Sequence, residues 1–477
     1  MGAQSESIMV NPWMMLPFGA LLAAIALAPL FFADWWGRHY PKVVGVLAGI
    51  VVIYYVAGLG APMRVWHTAH EYLSFIALIG SLFVISGGIH INVKGEATPT
   101  VNVLFLFLGA LLANVLGTTG ASMLLIRPWL RMNKYRVSAH HVMFFIFIVS
   151  NVGGCLTPVG DPPLFLGYLM GVPFWWVAAR GIHIWLAGVG MLLAFFFCVD
   201  YHNYLRAPRQ VRAEQTGRGE EWRFDGMENL FFLGIVLAAV FINRPIFLRE
   251  EVMIAAAAAS YFMTRKPVHE SNHFSLGPVK EVAILFAGIF ATMMPALEWL
   301  QGNASQLHGA SVGFFYFGSG SLSSVLDNAP TYLCFLKALF GRHIQPEVVT
   351  LVTHLVQTGG AGLATLTGPH AEQVRNTFAA LQQYHPSDLA ARSVNSDEIQ
   401  VAYLLGNTNL NPYLLAVSVG SVFFGANTYI GNGPNFMVKA IADHEKVHTP
   451  SFLGYIVRFT VPYMIPVVVI VWWFFLR

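Results

Sequence analysis

Apolar runs near the roughly 20 residues that a helix needs to cross a bilayer recur along the whole chain. Eleven are expected to span: Leu16–Phe32, Val43–Leu59, Tyr72–Ile91, Val101–Leu116, His141–Met170, Pro173–Val199, Met227–Ile242, Val252–Met263, Val282–Leu300, Leu414–Ala442 and Phe452–Leu476. Two of these runs are interrupted in the same way. Gly154–Phe165 reads GCLTPVGDPPLF and Gly425–Phe436 reads GANTYIGNGPNF. Five residues coincide at an offset of 271: Gly154/Gly425, Thr157/Thr428, Gly160/Gly431, Pro163/Pro434 and Phe165/Phe436. Broken helix survives at membrane depth only where protein buries it or water lines it. A matched pair of such breaks, one in each half, marks the binding site of many secondary transporters.

A weaker match lies upstream. Gly117–Leu130 can be laid on Leu326–Leu339 at an offset of 209, which pairs Thr118 with Asp327, Thr119 with Asn328 and Ser122 with Thr331. Leu111–Arg127 is too short to cross twice, so it is expected to form a re-entrant hairpin, and Ser319–Leu339 a second; ordinary kinked spanning helices are the alternative. The polar stretch 341–409 has no counterpart in the first half. The expected fold is an all-α polytopic membrane protein. About eleven transmembrane helices would form two inverted repeats, each with a re-entrant hairpin and an unwound helix. The expected divisions are 1–71, N-terminal scaffold helices; 72–199, first transport repeat; 200–226, cytoplasmic loop; 227–264, connecting helices; and 265–476, second repeat carrying the insertion 341–409.

Composition narrows the class. The chain is 56% hydrophobic and 11% charged, against roughly 25% charged in soluble domains, which excludes a soluble enzyme. No phosphate loop, CxxC pair or Ser/His/Asp motif is found, so neither an enzyme nor a resident cofactor is expected, and no nucleic acid partner. Cys155, Cys198 and Cys334 read as small buried residues. The four histidines of the insertion, His343, His354, His370 and His385, have no metal-ligand spacing. Basic residues set orientation. Arg127, Arg131, Lys134 and Arg136 cluster before the first break, and Arg206, Arg209, Arg212, Arg218 and Arg223 fill a later loop. Both loops are placed in the cytoplasm and 341–409 outside, in a multi-pass protein of the plasma (inner) membrane with the lipid bilayer as its partner.

Ionisable residues inside a bilayer are costly and by default mark ion or substrate paths. Asp161 lies in the first break and Asp327 at the second hairpin tip. Either could instead cap the helix that follows, at Pro162 or at Asn328-Ala329-Pro330. Around them Thr118, Thr119, Gly120, Ser122, Asn151, Thr157, Gly160, Asn328, Thr331, Asn427, Thr428 and Asn432 supply hydroxyls, amides or exposed backbone. Any one of these could equally make a helix-to-helix hydrogen bond. Their concentration in four short segments is what designates an ion or substrate site. For an anion, the nearest cationic side chains are Arg127, Lys337 and Lys439. His140-His141 is expected at the interface.

The segments Asn151–Asp161, Asp327–Thr331 and Gly425–Pro434 resemble signatures of the ion transporter superfamily. Within it the chain is most similar to bacterial sodium/proton antiporters and citrate-type transporters. The resemblance implies homodimers working by an elevator motion. Dicarboxylate-transporting relatives carry Ser-Asn-Thr at their hairpin tips; here the tips read Thr119-Gly120-Ala121-Ser122 and Asn328-Ala329-Pro330-Thr331. The leading expectation is therefore a secondary active transporter exchanging sodium for protons, two carboxylates binding either ion in competition. The alternative is a sodium- or proton-coupled citrate or dicarboxylate transporter. Oxyanion efflux ranks third.

Overall fold

Helix makes up almost all regular structure in the computed structural model, which describes residues 10–92, 98–206, 223–242, 244–272, 274–306 and 309–477. Arg209, Arg212 and Arg218 lie outside the described residues, so Arg206 and Arg223 alone represent that basic loop. Among the described residues seven helices are long and apolar enough to cross a membrane. The protein is an all-α polytopic membrane protein. Among the described residues strand is confined to His90–Asn92, paired antiparallel with Arg223–Asp225.

Helices α1 (Leu16–Phe31), α2 (Ala33–Ile53) and α3 (Pro62–Gly87) open the chain. The next, α4, covers Pro99–Met132 but is helical only on either side of Gly117, whose φ of 74° and ψ of 155° break it. Residues equidistant from Gly117 meet. A Cβ on Gly109 would touch Leu125, Phe105 stacks on Trp129 at 5.5 Å, and the Asn102 and Asn133 amides exchange hydrogen bonds of 2.9 and 3.1 Å. The two arms thus lie antiparallel. Val101–Leu116, expected to span by itself, is the first arm of a hairpin longer than the expected Leu111–Arg127. An apolar run sets the length of a helix, and one glycine with positive φ reverses its direction.

The first broken helix follows as α5 (Ala139–Ile148) and α6 (Pro162–Leu169), then α7 (Trp176–Arg206). Every residue of α5 from His140 to Ile148 is buried, as a helix apolar all round requires. His140 and His141 are therefore enclosed by protein. Their Nε2 atoms lie 3.3 and 3.2 Å from Asp200 Oδ1, and Arg136 forks across both oxygens of the same carboxylate. Asn102 Nδ2 donates to Asp200 Oδ2 at 2.9 Å, so this cluster ties both hairpin arms to α5 and α7. Of the cysteines, Cys155 and Cys334 are buried but Cys198, on the outer face of α7, is exposed.

Helices α8 (Asn229–Ala239) and α9 (Leu248–Met263) connect to α10 (Gly277–Asn303). A second hairpin follows, α11 (Val312–Ser323) and α12 (Asn328–His343), with Gly318 against Phe335 and Phe315 near His343. It exceeds the expected Ser319–Leu339 at both ends. The insertion is not a polar loop: it folds as α13 (Pro346–Gln357), α14 (Ala371–Tyr384) and α15 (Ser396–Gly406), packed through Val352, Val374, Leu381 and Val401. The second broken helix, α16 (Asn411–Phe424) and α17 (Gly433–His444), and the terminal helix α18 (Phe452–Leu476) complete the chain. Large apolar side chains such as Leu104, Phe231, Phe262 and Phe474 face outward, the surface a lipid environment covers.

Helices α3 and α10 run antiparallel. Phe83 and Pro278 share a cavity at one end, and Arg64 pairs with Glu298 at 3.5 Å at the other. The base of the first hairpin belongs to the former end, where Arg127 lines the same cavity. The base of the second belongs to the latter, where Gly341 packs on Gln301 of α10. The hairpins enter from opposite ends and their tips meet.

Candidate functional site

The two breaks fold alike because the same residues recur. Thr157 Oγ1 donates to Asn114 O at 2.6 Å and accepts from Gly160 N at 3.0 Å. Thr428 Oγ1 donates to Ser324 O at 2.6 Å and accepts from Gly431 N at 3.2 Å. In each break one hydroxyl closes the local turn and fastens it to a hairpin. The shared glycines have a reason too. A Cβ on Gly160 would strike Gly154 O, and one on Gly431 would sit 2.5 Å from Gly425 O. Only glycine permits that backbone approach.

These contacts correct the register read from sequence at the hairpin tips. Thr118 and Asn328 make equivalent bonds, as do Asn114 and Ser324, and both pairs lie 210 positions apart rather than 209. Asp327 accordingly aligns with Gly117, and Thr118 with Asn328.

Asp161 is the point on which four elements converge. Its Oδ1 accepts from Thr118 Oγ1 at 2.8 Å and from Asn432 Nδ2 at 3.1 Å, and its Oδ2 accepts from Asn328 Nδ2 at 2.6 Å. The first hairpin tip, the second hairpin tip and the second break each contribute a neutral donor to a carboxylate that is 1% exposed. Asp161 occupies the N-cap position of α6, yet its side chain makes no capping bond. Asp327 does cap: its Oδ1 accepts from Ala329 N at 3.0 Å at the start of α12. Thr331 Oγ1 donates back to Asp327 O at 3.0 Å.

The remaining candidates surround this centre. Asn151 Nδ2 donates to Asn435 Oδ1 at 2.7 Å, and Ser122 Oγ bonds Ser150 Oγ at 2.7 Å. Asn427 Nδ2 donates to Ser324 Oγ at 2.8 Å. Thr119 and Gly120 line a small cavity beside Gly160, and Thr119 also lines a second, of about 50 Å³, with Asp327 and Asn432. Asn435, absent from the sequence-derived set, donates to Gly425 O at 2.8 Å and Thr428 O at 2.9 Å. Its counterpart at the 271 offset is Leu164, so the repeat gave no signal for it.

The 50 Å³ cavity is lined by Pro162, Gly433 and Pro434, at the starts of α6 and α17, and by Asp327, the N-cap of α12. Helix N-termini favour anions, while Asp161 and the unpaired buried oxygens Asn328 Oδ1 and Asn427 Oδ1 favour a proton or a small hard cation. Chemically the centre is a receptor for a proton or small cation; the helix starts beside it contribute their dipoles, but Pro162, Pro163 and Pro434 have no N–H to give and Asp327 already caps the third.

No curated protein matches the chain. A family model does, over residues 7–476, and its description is "Putative citrate transport". A match across nearly all of the sequence, together with breaks and hairpins built around one buried carboxylate, assigns the protein a transport role; the chain belongs to this citrate transport family.

Proposed function

We propose that the protein is a secondary transporter of citrate or a related small carboxylate, coupled to sodium or protons at Asp161. The observation that carries the reading is the family match over residues 7–476, joined to a small central cavity beside a buried carboxylate that bonds only neutral donors. The dipoles of α6 and α17, which start at this cavity, favour negative charge there. Asp161 has no cationic side chain on it, so a transported cation or proton is what would balance it. Sodium/proton exchange, the leading expectation from sequence, yields to the carboxylate reading because the matched family is described by citrate. Hairpins entering from opposite ends, each meeting a break, support two inverted repeats.

At about 50 Å³ the central cavity admits waters or an ion; a carboxylate requires the tips to part. The test is uptake of labelled citrate into proteoliposomes under imposed sodium or pH gradients. Citrate accumulation that either gradient drives, and that Asp161→Asn abolishes, is expected. Sodium-driven proton movement without citrate uptake would restore the antiport reading.

A further inference from the structure

A larger cavity, about 250 Å³, lies next to the central one. Phe83, Pro278 and Met437 line both and form the apolar divide between them. Its own wall includes Met123, Arg127, Asn272 and Ser275. On the returning arm of α4, Thr119, Met123 and Arg127 are spaced four residues apart, so they form one stripe along the helix face. That stripe leads from the central cavity at Thr119 to the larger cavity at Arg127.

Three cations were near enough in sequence to hold an anion. Lys337 is taken by Asp397 at 2.7 Å and Lys439 by Asp443 at 2.5 Å. For Arg127 no ion pair is found among the described residues; the charged groups in its field are Glu445 and Arg131. It is half-buried in a largely apolar wall, where a guanidinium binds a carboxylate by paired hydrogen bonds with little competition from water.

We propose that this cavity is an anteroom to the transport site and that Arg127 is its recruiting residue. The substrate's carboxylate is captured there before Phe83, Pro278 and Met437 part to admit it. The inference rests on the carboxylate reading above. It makes Arg127 a specificity-determining residue for one membrane face only, the face whose basic residues place it in the cytoplasm.

The test is the KM for labelled citrate, measured separately from each side of proteoliposomes holding the full-length protein. Arg127→Gln should raise KM from the Arg127 side by about tenfold, the loss of one charged hydrogen-bonding pair. It should flatten the salt dependence of KM on that side, leave kcat within about twofold and leave KM from the other side unchanged. Arg127→Lys should recover only part of the affinity, because the ammonium keeps the charge but not the paired hydrogen bonds. Ser275→Asp, at the exposed rim of the same cavity, should raise KM on the same side by repulsion, and it decides the matter if Arg127→Gln does not fold. An unchanged KM on the Arg127 side, or an equal rise on both sides, would overturn the anteroom. A wild-type protein that moves no citrate would instead overturn the carboxylate reading, and this inference with it.

Discussion

Asp161 and Asn432 occupy the same position in the two breaks, 271 residues apart, and they touch: the Asn432 amide donates to the Asp161 carboxylate at 3.1 Å. One break holds an acid where the other holds its neutral isostere. Two acids at this spacing would repel, and two amides would leave no titratable group.

Asp161→Asn is expected to abolish coupled uptake, with loss of at least about tenfold, while the protein stays folded. The new amide turns N–H groups toward donors on Thr118, Asn328 or Asn432. Asp327→Asn should cost less, because asparagine caps a helix about as well as aspartate and Asp327 spends its Oδ1 on the cap. Initial rates of labelled citrate uptake for the two purified variants check the order. A larger loss for Asp327→Asn would contradict it.

Gly160→Ala and Gly431→Ala should each destabilise by about 1–3 kcal/mol, the usual cost of overpacking, since each Cβ meets the carbonyl of the paired glycine. Gly190→Ala serves as the control. Nothing lies within 4 Å of its Cβ, and alanine there should be neutral or favourable by up to about 1 kcal/mol. Thermal unfolding in detergent would rank the three.

Removing Asp200 leaves the Arg136 guanidinium, 7% exposed, without its carboxylate. Asp200→Ala should cost about 3–5 kcal/mol, as expected when one partner of a buried pair is lost. It should also loosen the first hairpin, which Asn102 ties to the same carboxylate. Cysteine-labelling rates at the hairpin base, together with the unfolding temperature, test both effects.

In the insertion, burial raises the Glu398 carboxyl from its ordinary 4.5 to about 7, against the hydrogen bond it accepts from Asn395 N. Between those values the folded chain keeps a proton that the unfolded chain has released. Stability from this group is therefore fullest below pH 4.5 and is lost as pH rises toward 7. Hydrogen exchange of α14 and α15, corrected for intrinsic rates, should show weaker protection at pH 8 than at pH 5. Glu398→Gln should remove most of the difference.

The breaks were legible because close backbone approach leaves a residue-level trace: glycine at 154, 160, 425 and 431, with threonine between. The hairpin tips were legible only to within one position. Their repeat rests on contacts rather than on shared residue types, and threonine at 118 and asparagine at 328 perform one task with different side chains. The reversal at Gly117 was hidden inside an unbroken apolar run, where hydropathy gives length and not direction. Asn435 was invisible for a related reason. It braces its own break through main-chain carbonyls, and the other break does without it. The helices of the insertion pair half-polar faces, so their composition read as loop.

Thr118 holds Asp161 through its hydroxyl, and its own N–H donates to Gly160 O at 2.7 Å, while Asn328 reaches the same carboxylate from the opposite hairpin. On the function proposed above, the receptor for the coupling ion would be a joint between parts that substrate passage must separate. Swinging either tip away removes a donor from Asp161 at the moment a path opens, so an ion that binds there works as a latch. Its occupancy and the position of the hairpins would then be a single variable, and coupling would follow from the joint itself, with no signal passed between distant sites.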